Sequence, residues 1–364
     1  MDEQELSKLR QQIDSIDEQL LELFNQRAGR AMDVAGVKRA QNGGNEDDIN
    51  FFRPEREAQV IKRLKGLNKG PLSDDEVGRL IREVMSACLA LEQPLKIAYL
   101  GPEGTFTQSA AYKHFGHSVT TVPMSSIPDV FNSVEAVDAN YGLVPVENST
   151  EGVISHTLDM FIDSSLKVCG EVEIPIHHHL AAQTQDVANI RHIYSHQQSF
   201  AQCRRWLDQN FPGIERIPVS SNAEAARIAA VEEHSAAICG LLAVEIFNLK
   251  ICYENIEDLS DNTTRFVIIG AQEIAPSGND KTSLLISTKN QPGALLRLLQ
   301  PLSDNNISMN KIESRPAQGH KWAYVFFIDI DGHQQDGDVN KALDQLKQQS
   351  SLFKILGSYP KASL

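Results

Sequence analysis

The chain has 364 residues, more than one compact core ordinarily takes, so two or three domains are expected. A hydrophobic share of 41% and a charged share of 23% are ordinary for a globular protein. The formal net charge of −14 argues against nucleic acid or an anionic membrane as partner, and an anionic substrate would need a local cationic pocket set against that field.

No apolar run is long enough to read as a membrane span. The opening Met1-Asp2-Glu3-Gln4-Glu5 is acidic and unlike a secretory signal. Five cysteines (Cys88, Cys169, Cys203, Cys239, Cys252) are scattered, odd in number and without C-x-x-C spacing. Buried free thiols in a reducing cytosol are expected, and hence a cytoplasmic location.

Residues 1–93 are nearly all helix formers. Leu6, Leu9, Ile13, Ile16, Leu20 and Leu23 recur at steps of three and four, an apolar seam. Breaks fall at Gln41-Asn42-Gly43-Gly44-Asn45 and between Gly66 and Pro71, and Ser73-Asp74-Asp75-Glu76 reads as a capping box. One long helix and two shorter ones follow. Arg27 continues the seam, where a charge is costly unless paired. Lys38 lies on nearly the same helix face, about 16 Å further on, so the two side chains can converge on one small anion. The plainer alternative is solvated charge on a bent helix. Arg10 sits roughly 42 Å from Lys38 along an unbroken helix and reaches the same pocket only from a second subunit. A long apolar seam independently wants a partner, so an intertwined helical homodimer, or a higher homo-oligomer, is expected.

Leu9-Arg10-x-x-Ile13, Asp17, Leu20, Arg27, Lys38 and the later Arg53-Pro54-Glu55-Arg56-Glu57 resemble the all-helical chorismate mutase family. The resemblance implies rearrangement of chorismate to prephenate without cofactor or covalent intermediate. It gives Arg10 (from the partner) and Arg27 the substrate carboxylates, and Lys38 the ether oxygen. Arg56 supports the pocket and Glu57 accepts from the substrate hydroxyl. Glu92 becomes a second donor to the ether oxygen, which it can be only when protonated, so a raised pKa is expected; otherwise it is a solvated surface charge. Arg53 stands where some relatives carry an acidic residue, and Cys88 where some carry serine.

After Pro94 the texture changes. Lys96 to Leu100 reads as a buried strand, and Tyr141 to Val146, Val168 to Ile176, Ile190 to Ser195 and Ala236 to Cys239 follow, alternating with helical runs. An α/β region with mainly parallel sheets is expected, as one domain or two lobes around a cleft. Four strand-end junctions are polar: Gly101-Pro102-Glu103-Gly104-Thr105-Phe106-Thr107, Glu147-Asn148-Ser149-Thr150, Ser195-His196-Gln197 with Gln202-Cys203, and Asp261-Asn262-Thr263-Thr264-Arg265-Phe266. Strand ends are where α/β proteins place ligands, although capping by Ser149 or Thr150 is the local alternative. The first junction is neither a Walker loop nor G-x-G-x-x-G. His177-His178-His179 lacks the spacing of a metal site, and no metal is expected.

Over residues 96–270 these junctions resemble prephenate dehydratase. The resemblance implies a two-lobed fold of the type II periplasmic-binding-protein kind and loss of water and CO2 from prephenate to give phenylpyruvate. Thr264 is the expected proton donor to the leaving hydroxyl. Thr105, Phe106, Asn148, Ser149, Thr150, Ser195 and Gln202 are expected to bind substrate. Arg265 would grip a carboxylate or order its loop, Glu147 reads as a contact or a structural residue, and His196 as a base or a strand-end structural histidine.

Ala271 to Asp280 reads as a linker. Strand, helix, two strands, helix and strand follow, the α+β ferredoxin-like βαββαβ order, with strands expected at Ile307 to Arg315 and Trp322 to Asp331. Gln291-Pro292-Gly293-Ala294-Leu295-Leu296 and Glu313-Ser314-Arg315-Pro316 resemble the ACT domain of phenylalanine-pathway dehydratases, beside the reading as ordinary turn chemistry. That resemblance implies L-phenylalanine at a subunit interface, its carboxylate near the Gly293–Ala294 backbone. The domains expected are 1–93, 96–271 and 281–364. The leading reading is a bifunctional enzyme passing chorismate to prephenate to phenylpyruvate under phenylalanine inhibition. Its rivals are an arogenate-preferring dehydratase, and an amino-acid-binding sensor with a helical dimerisation module.

Overall fold

The computed structural model describes residues 3–41, 50–289, 291–316 and 324–362. The expected break at 42–45 and the expected strand start at Trp322 lie outside them. The described residues form two compact units: one holds the N-terminal helices with Val60–Leu95 and Phe115–Thr120, the other Pro54–Gln59 and the remainder of the chain. No described helix is long and apolar enough to cross a membrane.

The first unit is built on one long helix, α1 (Glu3–Gln41), which at 39 residues is about 58 Å long. Helix α2 (Pro54–Leu67) opens with proline at its first turn. Helix α3 (Asp74–Glu92) is capped by Ser73, whose Oγ accepts from Glu76 N at 3.2 Å, as the capping box predicts. The C-terminal end of α1 packs on α3: Ala35 and Phe51 are buried together against Leu89. Ala35 is the one buried residue described on α1. Leu6, Leu9, Ile13, Ile16, Leu20 and Leu23 are 42–57% exposed, so the apolar seam is uncovered within one chain.

The second unit begins with an α/β portion of two lobes. Lobe one contains β1 (Lys96–Leu100), β2 (Thr120–Met124), β3 (Tyr141–Asn148), β4 (Gly152–Val153) and β5 (Lys167–Pro175), with helices α4 (Phe106–Phe115), α5 (Ile127–Glu135) and α6 (Ser155–Asp163). Lobe two contains β6 (His179–Ala182), β7 (His192–His196), β8 (Glu215–Val219), β9 (Ser235–Cys239) and β10 (Lys250–Tyr253). Its helices are α7 (Gln197–Gln202), α8 (Arg204–Asn210), α9 (Asn222–Ala229) and α10 (Leu241–Ile246), and the sheet order is β10-β6-β9-β7-β8. The chain then returns as β11 (Thr263–Gly270) to complete the first sheet, β2-β1-β3-β11-β5 with β4 on β3. This corrects the expectation of mainly parallel sheets. The returning strand runs the other way and pairs antiparallel with both β3 and β5.

The C-terminal portion has the expected βαββαβ order. Its elements are β12 (Asp280–Ser287), α11 (Ala294–Asp304), β13 (Met309–Pro316), β14 (Tyr324–Asp331), α12 (Gly337–Gln349) and β15 (Leu352–Pro360), with the sheet in the order β13-β14-β12-β15. Its two faces explain why β12 is apolar at consecutive positions. Leu284 and Ile286 pack under α11 and α12, whereas Leu285 joins Val325, Phe327 and Leu356 in one core with Val144, Val168 and Val267 of lobe one. The C-terminal sheet is thus buried on both sides. At Gly357 a Cβ would stand 2.1 Å from the Val168 carbonyl oxygen, because β15 passes against β5 with no room for a side chain. Gly357→Ala is expected to cost about 1–3 kcal/mol through overpacking, read as a lowered thermal midpoint.

Candidate active sites

The cleft between the lobes is built on the β3–β11 ladder, where Asn148 faces Thr264 and Glu147 faces Arg265. Side chains alternate along a strand, so the first pair lies on one face and the second on the other. Asn148 and Thr264 line a cavity of about 360 Å³ shared by both lobes. Asn148 Nδ2 donates to Thr264 Oγ1 at 2.8 Å and to Asn262 Oδ1 at 2.8 Å. Its Oδ1 accepts from Thr150 N, Thr150 Oγ1 and Glu151 N at 3.0, 2.6 and 3.1 Å. The amide is therefore held at both ends. Thr264 is 8% exposed.

The opposite wall comes from His178, in the segment crossing between the lobes, and Gln202 at the end of α7. His178 Nε2 lies 2.7 Å from Gln202 Oε1, while Gln202 Nε2 donates to Glu151 Oε1 at 3.2 Å and Asn262 Nδ2 to Gln202 Oε1 at 3.4 Å. One polar chain thus runs from His178 through Gln202, Asn262 and Asn148 to Thr264. Burial holds the His178 imidazole below its usual range, the bond to Gln202 only partly offsetting it, so the ring is neutral at neutral pH. Thr105 and Phe106 line the cleft from lobe one. Phe106 closes against lobe two so tightly that a Cβ on Gly240 would lie 2.8 Å from its ring.

Other expected site residues support the cleft without lining it. Ser195 is fully buried and donates to Asn222 Oδ1 at 3.0 Å, fixing the residue that opens α9. Ser149 Oγ accepts from Thr263 N at 2.9 Å and ties the turn to β11. Thr150 serves the Asn148 amide. Arg265 points away from the cleft, a consequence of the alternation that points Thr264 into it. It pairs with Glu171 at 2.8 Å and Asp329 at 2.6 Å and donates to Tyr359 Oη at 3.1 Å. Burial alone would lower its pKa; Tyr359, Asp329 and Glu171 more than offset this and raise it. Glu147, on the same face as Arg265, pairs with Lys311 at 2.7 Å. His196 lines the cleft and caps α7, accepting from Gln198 N at 3.3 Å. The neighbouring histidines diverge, His177 to Glu257 at 2.7 Å and His179 to Asn255 N at 3.3 Å. Among the described residues no group of His, Cys, Asp and Glu has a metal-holding arrangement.

In the helical unit, Arg27, Lys38 and Arg39 are the cations whose charge reaches Glu92. Burial is the largest influence on Glu92 and raises its pKa, against the pull of those three cations. Lys38 Nζ and the Arg39 guanidinium each stand 5.3 Å from the Phe51 ring centre, and Arg39 Nη2 donates to Glu92 O at 2.8 Å. Arg27 and Arg10 are exposed within one chain, on the same uncovered helix as the seam. Cys88 is buried on α3, one turn before Glu92. Arg53 occupies the N-cap of α2, with Arg56 and Glu57 in its first turn.

In the C-terminal portion Gly293, at φ 74°, is the N-cap of α11. The Ala294 N–H donates to Gln291 O at 3.0 Å, so that amide is already used by its own turn. Leu295 and Leu296 are exposed on α11. On β13, Glu313 is half-buried and Ser314 exposed. Arg315 reaches lobe one, donating to Ser155 Oγ at 2.6 Å and to both carboxylate oxygens of Asp159 at 3.0 and 2.9 Å.

Three family models match along the chain: chorismate mutase type II over residues 9–93, prephenate dehydratase over 97–274 and the ACT domain over 282–348. A bifunctional chorismate mutase/prephenate dehydratase of Pseudomonas aeruginosa is 54% identical over 100% of both chains. The chain belongs to the bifunctional chorismate mutase/prephenate dehydratase family. It is an enzyme of two activities, an isomerase that rearranges chorismate to prephenate and a lyase that converts prephenate to phenylpyruvate. Among solved structures, a prephenate dehydratase from Arthrobacter aurescens in complex with L-Phe is 33% identical with a TM-score of 0.68, over 74% of this chain and 90% of that one. A structure described as GqqA, a novel type of quorum quenching acylase, has the same TM-score of 0.68 at 29% identity, over 74% of this chain and 98% of that one. Fold alone therefore does not decide the chemistry; the match along the whole chain, mutase helices included, does.

His178, Glu151, Asn222 and Asn262 belong to the dehydratase cleft without having stood out in the sequence as substrate contacts. The Asn148–Asn262 contact joins residues 114 apart in the chain. His178 sits in a connecting segment, outside any strand pattern that would have given its direction.

Proposed function

We propose that Thr264 is the proton donor of the dehydratase reaction, with Asn148 holding it in place. The 2.8 Å bond from Asn148 Nδ2 to Thr264 Oγ1 carries this reading. A hydroxyl that accepts from an amide keeps its own hydrogen for another acceptor, and here the neighbouring space is the cleft. As the bond to the ring carboxyl breaks, its electron pair moves into the ring and CO2 departs. The opposite ring carbon releases its hydroxyl, which takes the Thr264 proton and leaves as water, and Thr264 regains a proton from solvent. Threonine is a weak acid in water, but Phe106, Phe266 and Ile176 make part of the wall apolar, which strengthens a donor aimed at developing charge. The starts of α4 and α9 at the cleft rim offer backbone N–H groups to the substrate carboxylates. The names of the relatives give prephenate as substrate; comparing kcat/KM on prephenate and arogenate tests that preference.

For the mutase we propose a pocket of Arg27, Lys38 and Glu92 completed by Arg10 of the partner subunit. The uncovered seam of α1 supports a homodimer in which two such helices cover one another. Glu92 donates to the ether oxygen only as the neutral acid. Its pKa is raised, so the donor form survives to higher pH than an ordinary glutamate, and mutase turnover falls as pH rises through that pKa. Glu92→Gln, a donor at every pH, is expected to remove that falling limb. A pH–rate profile with the limb unchanged would discard the role.

We further propose that the ACT portion binds L-phenylalanine and thereby inhibits dehydration. The family match and the L-Phe complex of the Arthrobacter dehydratase support this, and Leu295, Leu296, Met309 and Ile312 expose an apolar surface suited to a subunit interface. Titrating phenylalanine against dehydratase rate, with sedimentation in parallel, tests both parts.

A further inference from the structure

The active-site turn of the dehydratase runs from Glu147 to Ser155 and carries Asn148, Thr150 and Glu151. Strand β13 of the ACT portion holds both of its ends. Lys311 Nζ pairs with Glu147 Oε2 at 2.7 Å, and Arg315 Nη1 donates to Ser155 Oγ at 2.6 Å while its Nη2 grips Asp159. Lys311 and Arg315 are four residues apart on a strand, so they share one face and stand about 13 Å apart, the reach of a splint across the turn. The β11 side is also braced from behind. Arg265, the neighbour of Thr264, is fixed by Asp329 and Tyr359 of the same ACT sheet, at 2.6 and 3.1 Å. Both members of the Asn148–Thr264 pair therefore have, as their immediate chain neighbour, a charged residue clamped by the ACT sheet. The Arg265 clamp is buried, its side chain 11% exposed, whereas Lys311 at 14% meets a Glu147 that is 40% exposed and Arg315 at 24% meets an Asp159 that is 31% exposed. A void of about 30 Å³, enough for roughly one water, lies among Arg265, Lys311 and Asp329. Phe161, Val168 and Phe327 line it as well, so the charged clamps stand beside the apolar core that the ACT sheet shares with lobe one.

We propose that Lys311 and Arg315 are positioning residues for dehydration, acting through Glu147 and Ser155 on the Asn148–Thr264 pair. This rests on the reading of Thr264 as donor. A displacement of the turn by about 1 Å misaligns a donor with its leaving group and costs up to about 100-fold in rate. Lys311 and Arg315 touch neither cleft nor substrate, so the loss falls on kcat.

The test uses the full-length enzyme with prephenate supplied for the dehydratase assay and chorismate for the mutase assay. Lys311→Met and Arg315→Met are each expected to lower dehydratase kcat by about 10-fold or more, with KM within about twofold and mutase kcat unchanged. Lys311→Arg should restore most of the rate. The exchanged pair Glu147→Lys with Lys311→Glu should recover kcat well above either single change, because it rebuilds the ion pair with its polarity reversed. Wild-type kcat in Lys311→Met and Arg315→Met would overturn the proposal. So would an exchanged pair no better than its worse single member, since the ion pair itself would then not be what holds the turn. Should a methionine variant fail to fold, the arginine variant and the exchanged pair still decide. Thr264→Ala is read separately: inactivity there beside silent Lys311 variants ends the splint and keeps the donor, while full activity there ends the donor reading itself.

Discussion

Thr264→Ala is expected to lower dehydratase kcat by roughly 10²–10⁴-fold, the range for removing a positioned proton donor. Its KM should change little, because the proton moves only as the ring C–O bond breaks. Mutase turnover of chorismate should be untouched, so prephenate accumulates in place of phenylpyruvate. The variant should fold. Asn148 Nδ2 keeps its 2.8 Å bond to Asn262 Oδ1, and only its second N–H loses a partner, beside the cleft, at a cost of about 1–3 kcal/mol. Thr264→Ser keeps a hydroxyl and should retain much of the rate, whereas Asn148→Ala leaves the hydroxyl free to turn and should fall between the two. Dehydratase kcat within tenfold of wild type in Thr264→Ala would remove Thr264 from the chemistry and leave the cleft only as a binding site.

The contrast between Thr264 and Arg265 shows what the sequence could carry. Helices, capping box and the βαββαβ order are local or periodic, and the residues state them directly: Ser73 and Glu76 are three apart and meet as that spacing requires. Polar residues at strand ends marked the cleft correctly as a region. Which of two adjacent residues enters it was a matter of strand phase, and the phase of β11 is set by antiparallel pairing with β5 and with β3, the latter more than a hundred positions away. The pairing that puts Thr264 beside Asn148 turns Arg265 to Asp329, and turns Glu147 to Lys311, 164 residues on. An arginine next to a threonine that faces the cleft looks like a carboxylate clamp until the opposite face of the strand is known to be covered. His178 was hidden for a related reason: three consecutive histidines suggest one site, yet the chain there is crossing between lobes and sends each ring to a different partner.

Lys38→Ala is expected to abolish mutase activity, roughly 10²–10³-fold for loss of one donor aimed at the developing charge on the ether oxygen, with dehydration of supplied prephenate unchanged. Arg10→Ala should do the same from a position where no single chain could explain it. Along α1 the two residues are about 42 Å apart, several times the reach of an arginine side chain, and both lie on a helix whose apolar seam is uncovered. If two α1 helices cover one another antiparallel, Arg10 of the partner subunit arrives beside Arg27 and Lys38. The consequence is quantitative. In a hybrid of one Arg10→Ala chain and one Lys38→Ala chain, one pocket collects both defects and the other collects none. Equal mixing makes about half the dimers hybrid, each with one intact pocket of two, so about a quarter of wild-type mutase activity should return after subunit exchange. A pocket built within one chain predicts no recovery at any mixing ratio. Exchange itself can be followed with differently tagged subunits, so a flat activity trace beside demonstrated hybrids would rule out a pocket shared between two chains.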